Sequence, residues 1–331
     1  MSAILTVDGL EVDIPLSAGL LRPVRDISFS VGRGETVCIV GESGCGKSLT
    51  SLAIMDLLPK RARRRARRLE FTGTDLTRIR ERDMADLRGN RMAMIFQEPM
   101  TSLNPAWTIG DQLTEPFLRH GKGNRREATD RAVFLLERVG IAAAGRRLGQ
   151  YPHELSGGLR QRVMIAMALM CGPDLILADE PTTALDVTIQ AEILHLLAEL
   201  QREMGMGLLL VTHDLGIVAR VAHRVAVMYA GEVVESGPTV TVFDEPRHPY
   251  TRGLIDCIPI PARSKPGVPL GTIPGLVPNL VGGIQGCAFR DRCTFATEPC
   301  TRSVPVTHGA DGHAWRCVLT AAVPSLLENP A

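Results

Sequence analysis

Aromatic residues are scarce, at 4% of 331 positions, which leaves few rings for stacking bases and disfavours a reader of single-stranded nucleic acid. A dominant charge is also missing. Lys and Arg number 37 against 36 Asp and Glu, so no global field draws the chain to a polyanion. Long hydrophobic runs are absent too. The longest uninterrupted apolar run, Val163 to Cys171, is less than half of the roughly 20 residues that a helical membrane span needs. Met1 to Leu10 lacks the basic flank and apolar core of an export signal, so the chain is expected neither to span a membrane nor to cross one by itself. What is plentiful is core material. With 45% hydrophobic residues, a chain of this length has enough for one large or two ordinary globular domains.

Thr36-Val37-Cys38-Ile39-Val40 is a short apolar, β-branched run that suits a strand buried on both faces. It leads into Gly41-Glu42-Ser43-Gly44-Cys45-Gly46-Lys47-Ser48, and the stretch Leu49 to Leu58 reads as a helix. This is the order strand, G-x-x-x-x-G-K-[ST], helix. Its glycines let backbone N–H groups wrap a phosphate chain, Lys47 reaches the β- and γ-phosphates, and the Ser48 hydroxyl holds Mg²⁺. Positions Gly41 to Leu49 are therefore the predicted nucleotide-binding segment, with Cys45 a small filler and no chemistry assigned to its thiol.

Two further buried-strand runs end in polar residues at the sheet edge where open α/β folds bind ligands. Leu175 to Ala178 ends in Asp179-Glu180-Pro181, which suits either an acidic helix cap or Asp179 for Mg²⁺ with Glu180 as a general base on the attacking water. Leu208 to Val211 ends in Thr212-His213-Asp214, which brings His213 within reach of a γ-phosphate. A third polar cluster, Leu155-Ser156-Gly157-Gly158-Leu159-Arg160-Gln161-Arg162, opens an apolar helical stretch. Its residues suit either an ordinary helix N-cap or a phosphate contact through backbone N–H groups.

Taken in order, these segments resemble the ABC ATPase family. The resemblance rests on the phosphate loop, Gln97 after the strand Met92 to Phe96, the signature 155–162, Asp179-Glu180, Ala184-Leu185-Asp186 and His213. It implies an α/β P-loop NTPase core with a mostly parallel sheet, an inserted helical subdomain over about 98–170, and ATP with Mg²⁺ as substrate and cofactor. In that family two ATPase domains face each other head to tail. Ser156, Gly157 and Gly158 would then act on the partner's ATP, Gln97 would join Ser48 and Asp179 around Mg²⁺, and Asp186 would link the two sites.

Gln97-Glu98-Pro99-Met100-Thr101-Ser102-Leu103-Asn104-Pro105 is similar to the segment found in ATPases of dipeptide, oligopeptide and nickel importers. His248-Pro249-Tyr250-Thr251-Arg252 and a cysteine-bearing tail resemble the C-terminal extension of the same subfamily. The chain thus divides on sequence into an ATPase domain, 1–257, and an extension, 258–331. The resemblance implies an ATPase at the cytoplasmic face of the inner membrane, bound to two permeases and to a second, homologous ATPase as a heterodimer. A solute-binding protein would contribute indirectly, and nucleic acid would not. The alternative is a soluble ABC ATPase of translation or DNA repair, but such proteins usually carry two cassettes or a long coiled coil. Two departures from the family stand out: Leu159 replaces a common glutamine, and no aromatic residue near Leu20 to Val24 offers to stack an adenine.

Cys287, Cys293, Cys300 and Cys317 crowd the tail after a Pro/Gly-rich connection from Ile258 to Gly286. Structural zinc usually shows a tighter C-x₂₋₄-C pair, and disulfides suit a reducing cytosol poorly. A [4Fe–4S] cluster tolerates irregular spacing, and the subfamily carries one in this tail; zinc and free or paired cysteines are the alternatives. The remaining feature is the basic block Lys60 to Arg68, expected to be a solvated surface loop, with attraction to anionic lipid headgroups as the alternative.

Overall fold

The structure, a computed structural model, describes residues 3–182, 186–258, 271–319 and 323. Ala184 and Leu185, and 259–270 of the Pro/Gly-rich connection, lie outside the described residues. In chain order the first elements are β1 (Ala3–Leu16), β2 (Gly19–Gly32), β3 (Thr36–Val40), α1 (Lys47–Ile54), β4 (Arg63–Arg65), β5 (Arg68–Phe71), β6 (Thr74–Asp75), α2 (Glu81–Leu87) and β7 (Met92–Ile95). Five helices follow, α3 (Pro99–Ser102), α4 (Ile109–Arg119), α5 (Arg125–Arg138), α6 (Ala144–Arg147) and α7 (Gly157–Leu169). Next come β8 (Leu175–Asp179), α8 (Val187–Met204), β9 (Gly207–Thr212), α9 (Leu215–Val221), β10 (Arg224–Tyr229) and β11 (Glu232–Pro238). The chain closes with α10 (Thr239–Asp244), α11 (Pro249–Asp256), β12 (Thr307–His308) and β13 (Ala314–Trp315).

The chain divides into two compact units. The first comprises Met1–Leu5, Ser30–Thr36 and Glu70–Val211, and the second Thr6–Phe29, Val37–Leu69 and Thr212–Ala331. In the first unit β7, β8 and β9 run parallel, with Met92 opposite Leu175 and Leu175 opposite Gly207. Every residue of β8 and β9 is buried. Their unbroken apolar runs need cover on both faces, and this is why they join a parallel array rather than an exposed hairpin. Asp174, at the entry to β8, is held by Arg33 at 2.7 Å and Arg91 at 2.8 Å. The helices between β7 and β8 start where local chemistry dictates. Thr108 caps α4 by accepting from the Asp111 N–H, and Asn124 with Glu127 forms a complete capping box on α5.

In the second unit the fully buried β3 runs parallel to β10, with Val37 opposite Arg224, and β10 pairs antiparallel with β11. Beyond it β11 pairs with β13, and β13 with β12. The helix after the phosphate loop is shorter than the sequence suggests: α1 ends at Ile54, not at Leu58. Asp56 takes a left-handed φ of 54°, and Leu58 precedes a proline, which disfavours helical backbone at that residue.

The basic block is not a free loop. Arg63–Arg65 form β4 against β1, with Glu11 opposite Arg65 and Asp13 opposite Arg63. Arg64 donates to the Ala53 carbonyl at 2.5 Å and pairs with Asp56, Arg65 pairs with Asp13 and Glu11, and Arg67 pairs with Asp8 and Asp26. The acidic partners come from residues that sequence reading did not connect to the block. With much of its charge already compensated, the block is a weaker attractor of anionic lipid than its composition implies.

Candidate functional site

The phosphate loop in the second unit takes its shape from two glycines. Gly41 has φ 154° and Gly46 φ 103°. A Cβ on Gly41 would lie 2.1 Å from the Met228 carbonyl oxygen, and one on Gly46 would lie 2.0 Å from that of Pro23. No side chain fits at either place, so the backbone can turn there only as glycine. Gly46 is also the N-cap of α1, so the first N–H groups of that helix open toward the loop without intrahelical partners.

Lys47 is buried at 4% exposure, and its ammonium donates to the carbonyls of Gly41 at 2.8 Å and Glu42 at 3.0 Å. A charged amine is thus held inside the loop, beside N–H groups that favour an anion. Cys45 is also buried, and its thiol is pushed up by burial. Its sulfur fills the space beside Gly41, where an added Cβ would sit 3.0 Å from it. Ser43 and Gly44 are exposed, Ser48 and Leu49 half-buried.

In the first unit β8 ends at the buried Asp179. Glu180 follows in a left-handed conformation, φ 43°, with its N–H donating to the Val211 carbonyl at 2.9 Å. For a non-glycine residue such backbone costs on the order of 1–3 kcal/mol and survives where its surroundings enforce it. The Glu180 carboxylate accepts from Gln97 Nε2 at 3.1 Å, so two residues 83 apart in sequence meet. Gln97 is exposed after β7.

The signature begins α7. Ser156 is the N-cap, with extended backbone and an Oγ that accepts from the Leu159 N–H at 3.4 Å. Capping and exposure hold together, for Ser156 remains exposed with Gly157 and Gly158 half-buried beside it. The nearest atom to a Cβ on Gly158 would be Ile189 Cγ2 at 3.4 Å, an ordinary contact, so the chain's own packing leaves room for a side chain there. Asp186 is exposed at the start of α8, and His213 is exposed directly after β9.

Cys287, Cys293, Cys300 and Cys317 line one cavity of about 10 Å³ in the second unit, with His248 and Phe289 among the other walls. Burial, with smaller contributions from Cys300, Cys293 and Cys317, pushes the Cys287 thiol up to about 11. Among the described residues no three His, Cys, Asp or Glu side chains are arranged to hold a metal ion. The four sulfurs share a cavity without taking up ligand geometry.

Two residues at the phosphate loop escaped the sequence reading. The Glu42 N–H donates to the Tyr250 hydroxyl at 2.8 Å, and Arg292 pairs with the Glu42 carboxylate at 2.6 Å. Tyr250 belongs to the His-Pro-Tyr segment that stood out without a role. Nothing in its local pattern marked Arg292.

Comparison with known proteins gives the chain a family. Residues 24–183 match the family described as ABC transporter, and residues 234–300 match the oligopeptide/dipeptide transporter C-terminal region. A Brucella abortus protein named for peptide import ATP binding is 52% identical over 333 residues, covering 95% of this chain and 96% of the relative. The dipeptide transport ATP-binding protein of Escherichia coli K12 is 50% identical over 316 residues, covering 95% and 96%. A solved ATP-binding cassette dimer in a post-hydrolysis state with ADP and phosphate aligns with a TM-score of 0.62 at 26% identity, covering 71% of this chain and 98% of that one. The chain belongs to the ABC transporter ATPases, P-loop enzymes that hydrolyse ATP.

Proposed function

We propose that this chain is the ATP-hydrolysing subunit of an importer for dipeptides or oligopeptides. The observation that carries the reading is the tandem match, a transporter cassette at 24–183 followed by the oligopeptide/dipeptide C-terminal region at 234–300. Relatives about half identical along nearly their whole length carry peptide or dipeptide import in their names. No helix among the described residues is long and apolar enough to cross a membrane. The passage itself is therefore assigned to permeases, with this chain peripheral at their cytoplasmic side. A 520 Å³ groove in the first unit, lined by Trp107, Asp111, Arg119 and Tyr151 among others, supports a docking role for the helical region. Trp107 is 46% and Tyr151 40% exposed, and such rings are favoured anchors at interfaces.

In this reading Gly41 to Leu49 cradle the triphosphate, and Lys47 leaves its two carbonyls for the β- and γ-oxygens. Ser48, Asp179 and Gln97 would hold Mg²⁺, which would supply positive charge to the outer phosphates. Glu180 takes the proton of the attacking water, oriented by its bond to Gln97, and His213 meets the γ-phosphate. Ser156 with the N–H groups of Gly157 and Gly158 serves the ATP of a second, homologous ATPase, and Asp186 links the two sites. The exposure of Ser156 and the spare room at Gly158 both favour an occupant from outside the chain. The proposed domain limits are 1–257 for the ATPase, with its helical part over about 98–170, and 258–331 for the extension.

The extension is read as the seat of a [4Fe–4S] cluster on Cys287, Cys293, Cys300 and Cys317. Four thiols on one cavity are the donor set that such a cluster takes. Iron, on binding, would displace the thiol protons and compensate the charge that their loss leaves. Anaerobically purified protein should then contain iron and acid-labile sulfide, and their absence would remove the assignment. The function itself is tested by reconstituting the chain with its permeases, second ATPase and solute-binding protein in liposomes. ATP hydrolysis should rise when a peptide-loaded binding protein is added outside. Copurification with ribosomes or DNA instead of permeases would overturn the importer reading.

A further inference from the structure

The His-Pro-Tyr segment and the extension have no role in the chemistry above, yet both end on one residue of the phosphate loop. Glu42 is gripped at three points. Its N–H donates to the Tyr250 hydroxyl at 2.8 Å, its carbonyl accepts from Lys47 at 3.0 Å, and its carboxylate takes both arms of Arg292 at 2.6 and 3.0 Å. Tyr250 and Arg292 lie 208 and 250 residues away along the chain.

Arg292 has no donor to spare. Its Nε donates to the Pro274 carbonyl at 2.8 Å, one terminal nitrogen to Glu42 and the Tyr229 hydroxyl, and the other to Glu42 and the Ile273 carbonyl. That accounts for all five N–H groups of a guanidinium. The side chain is only 5% exposed, and its cation lies 5.7 Å from the centre of the Tyr229 ring and 5.8 Å from that of Phe289. Tyr250 is fully buried, with its ring 4.6 Å from Tyr229 and 5.4 Å from Phe289. A forked, saturated and buried cation is a rigid fixture rather than a surface pair.

We propose that Arg292 and Tyr250 are positioning residues for the phosphate loop, through which the C-terminal extension sets the loop's affinity for nucleotide. The proposal rests on the reading of 41–49 as the ATP site. Tyr250 takes the Glu42 N–H, so this amide points at the tyrosine and the loop bends around a fixed residue. Arg292 neutralises a carboxylate that would otherwise repel a triphosphate from within the loop itself. Holding Glu42 in advance removes part of the ordering cost of binding. Lysine cannot substitute for this arginine, since an ammonium has three donors and no fork.

The test is equilibrium binding of a fluorescent ATP analogue, with Mg²⁺, to the full chain. Arg292→Met should weaken binding about tenfold, Arg292→Lys should recover only part of it, and Tyr250→Phe, which removes one oxygen and keeps the ring, should weaken it about threefold. Adding Glu42→Gln to Arg292→Met should restore part of the lost affinity, because it removes the unpaired carboxylate. A merely structural role predicts no such rescue. The exposed Arg302→Met is the control and should bind like wild type. If Arg292→Met does not fold, Tyr250→Phe and Arg292→Lys still decide. Wild type that binds no ATP would refute the underlying site. Wild type that binds, with Arg292→Met and Tyr250→Phe within twofold of it or no rescue in the double variant, would overturn the proposal alone.

Discussion

Lowering the pH should weaken the second unit through one buried imidazole. His248 is 1% exposed, its Nδ1 accepts from the Tyr250 N–H at 3.1 Å, and its own backbone N–H donates to the buried Glu235 carboxylate. Burial depresses it to about 4 from an ordinary 6.5, a shift that Glu235 only partly opposes. The direction of the effect follows from proton counting. Above pH 6.5 the ring is neutral folded or unfolded and costs nothing. Between 6.5 and 4 the unfolded chain binds a proton that the folded chain refuses, so stability falls as pH falls. At 1.36 kcal/mol per pH unit, the loss reaches about 3 kcal/mol by pH 4. Protonation would also remove the acceptor that orients Tyr250, and with it the grip on Glu42. The assay is urea unfolding at pH 7, 6, 5 and 4.5, followed by the emission of Trp315, whose ring lies tilted with its centre 5.0 Å from that of His313 in the same unit. His248→Asn keeps an acceptor without a titrating ring, and should be less stable at pH 7 but lose stability more slowly below 6.5. Parallel curves for wild type and His248→Asn would refute the reasoning, because the acid loss would then belong to other groups.

Other consequences follow from the same geometry. Glu180→Gln should leave ATP binding near wild type while lowering the steady-state hydrolysis rate by roughly 10²–10⁴-fold, and surviving turnover would remove the general-base role. Gly46→Ala should abolish binding of fluorescent ATP, because its Cβ would meet the Pro23 carbonyl at 2.0 Å. Gly44→Ala, with φ 79° and nothing within 4 Å, should cost only about 1 kcal/mol of folding stability in urea unfolding. Within the basic block, Arg64→Ala should cost about 1–2 kcal/mol in the same measurement, since the side chain is 11% exposed and bonds to Ala53 and Asp56. Equal stability of Arg64→Ala and wild type would return the block to a solvated loop.

The parts legible in the sequence are those whose partners lie next to them in the chain. The phosphate loop, Ser156 as a helix cap and the strand-end carboxylates are local: a buried apolar run sets the strand, and the residues following it must emerge at its end. Even the need for glycine at 41 and 46 could be read from the motif. The bond between Gln97 and Glu180 came only from the structure, since no local pattern says that two strand ends lie side by side. The basic block is solvated as expected, with Arg63, Arg65, Arg67 and Arg68 exposed, but its ion pairs could not be judged from neighbours in sequence. Lys60 to Arg68 reads as a solvated block, yet Asp8, Asp13, Asp26 and Asp56 pair with its arginines once the chain folds.

Tertiary structure alone decided what surrounds the loop. Tyr250 and Arg292 reach Glu42 across 208 and 250 residues, and four cysteines spaced irregularly over the tail come to line one cavity. Local chemistry determines which groups can cradle a phosphate, because backbone turns and helix starts depend on a few consecutive residues. Which distant side chains hold that cradle in place depends on packing, and only the folded chain brings a tail arginine's fork within hydrogen-bond reach of a loop carboxylate.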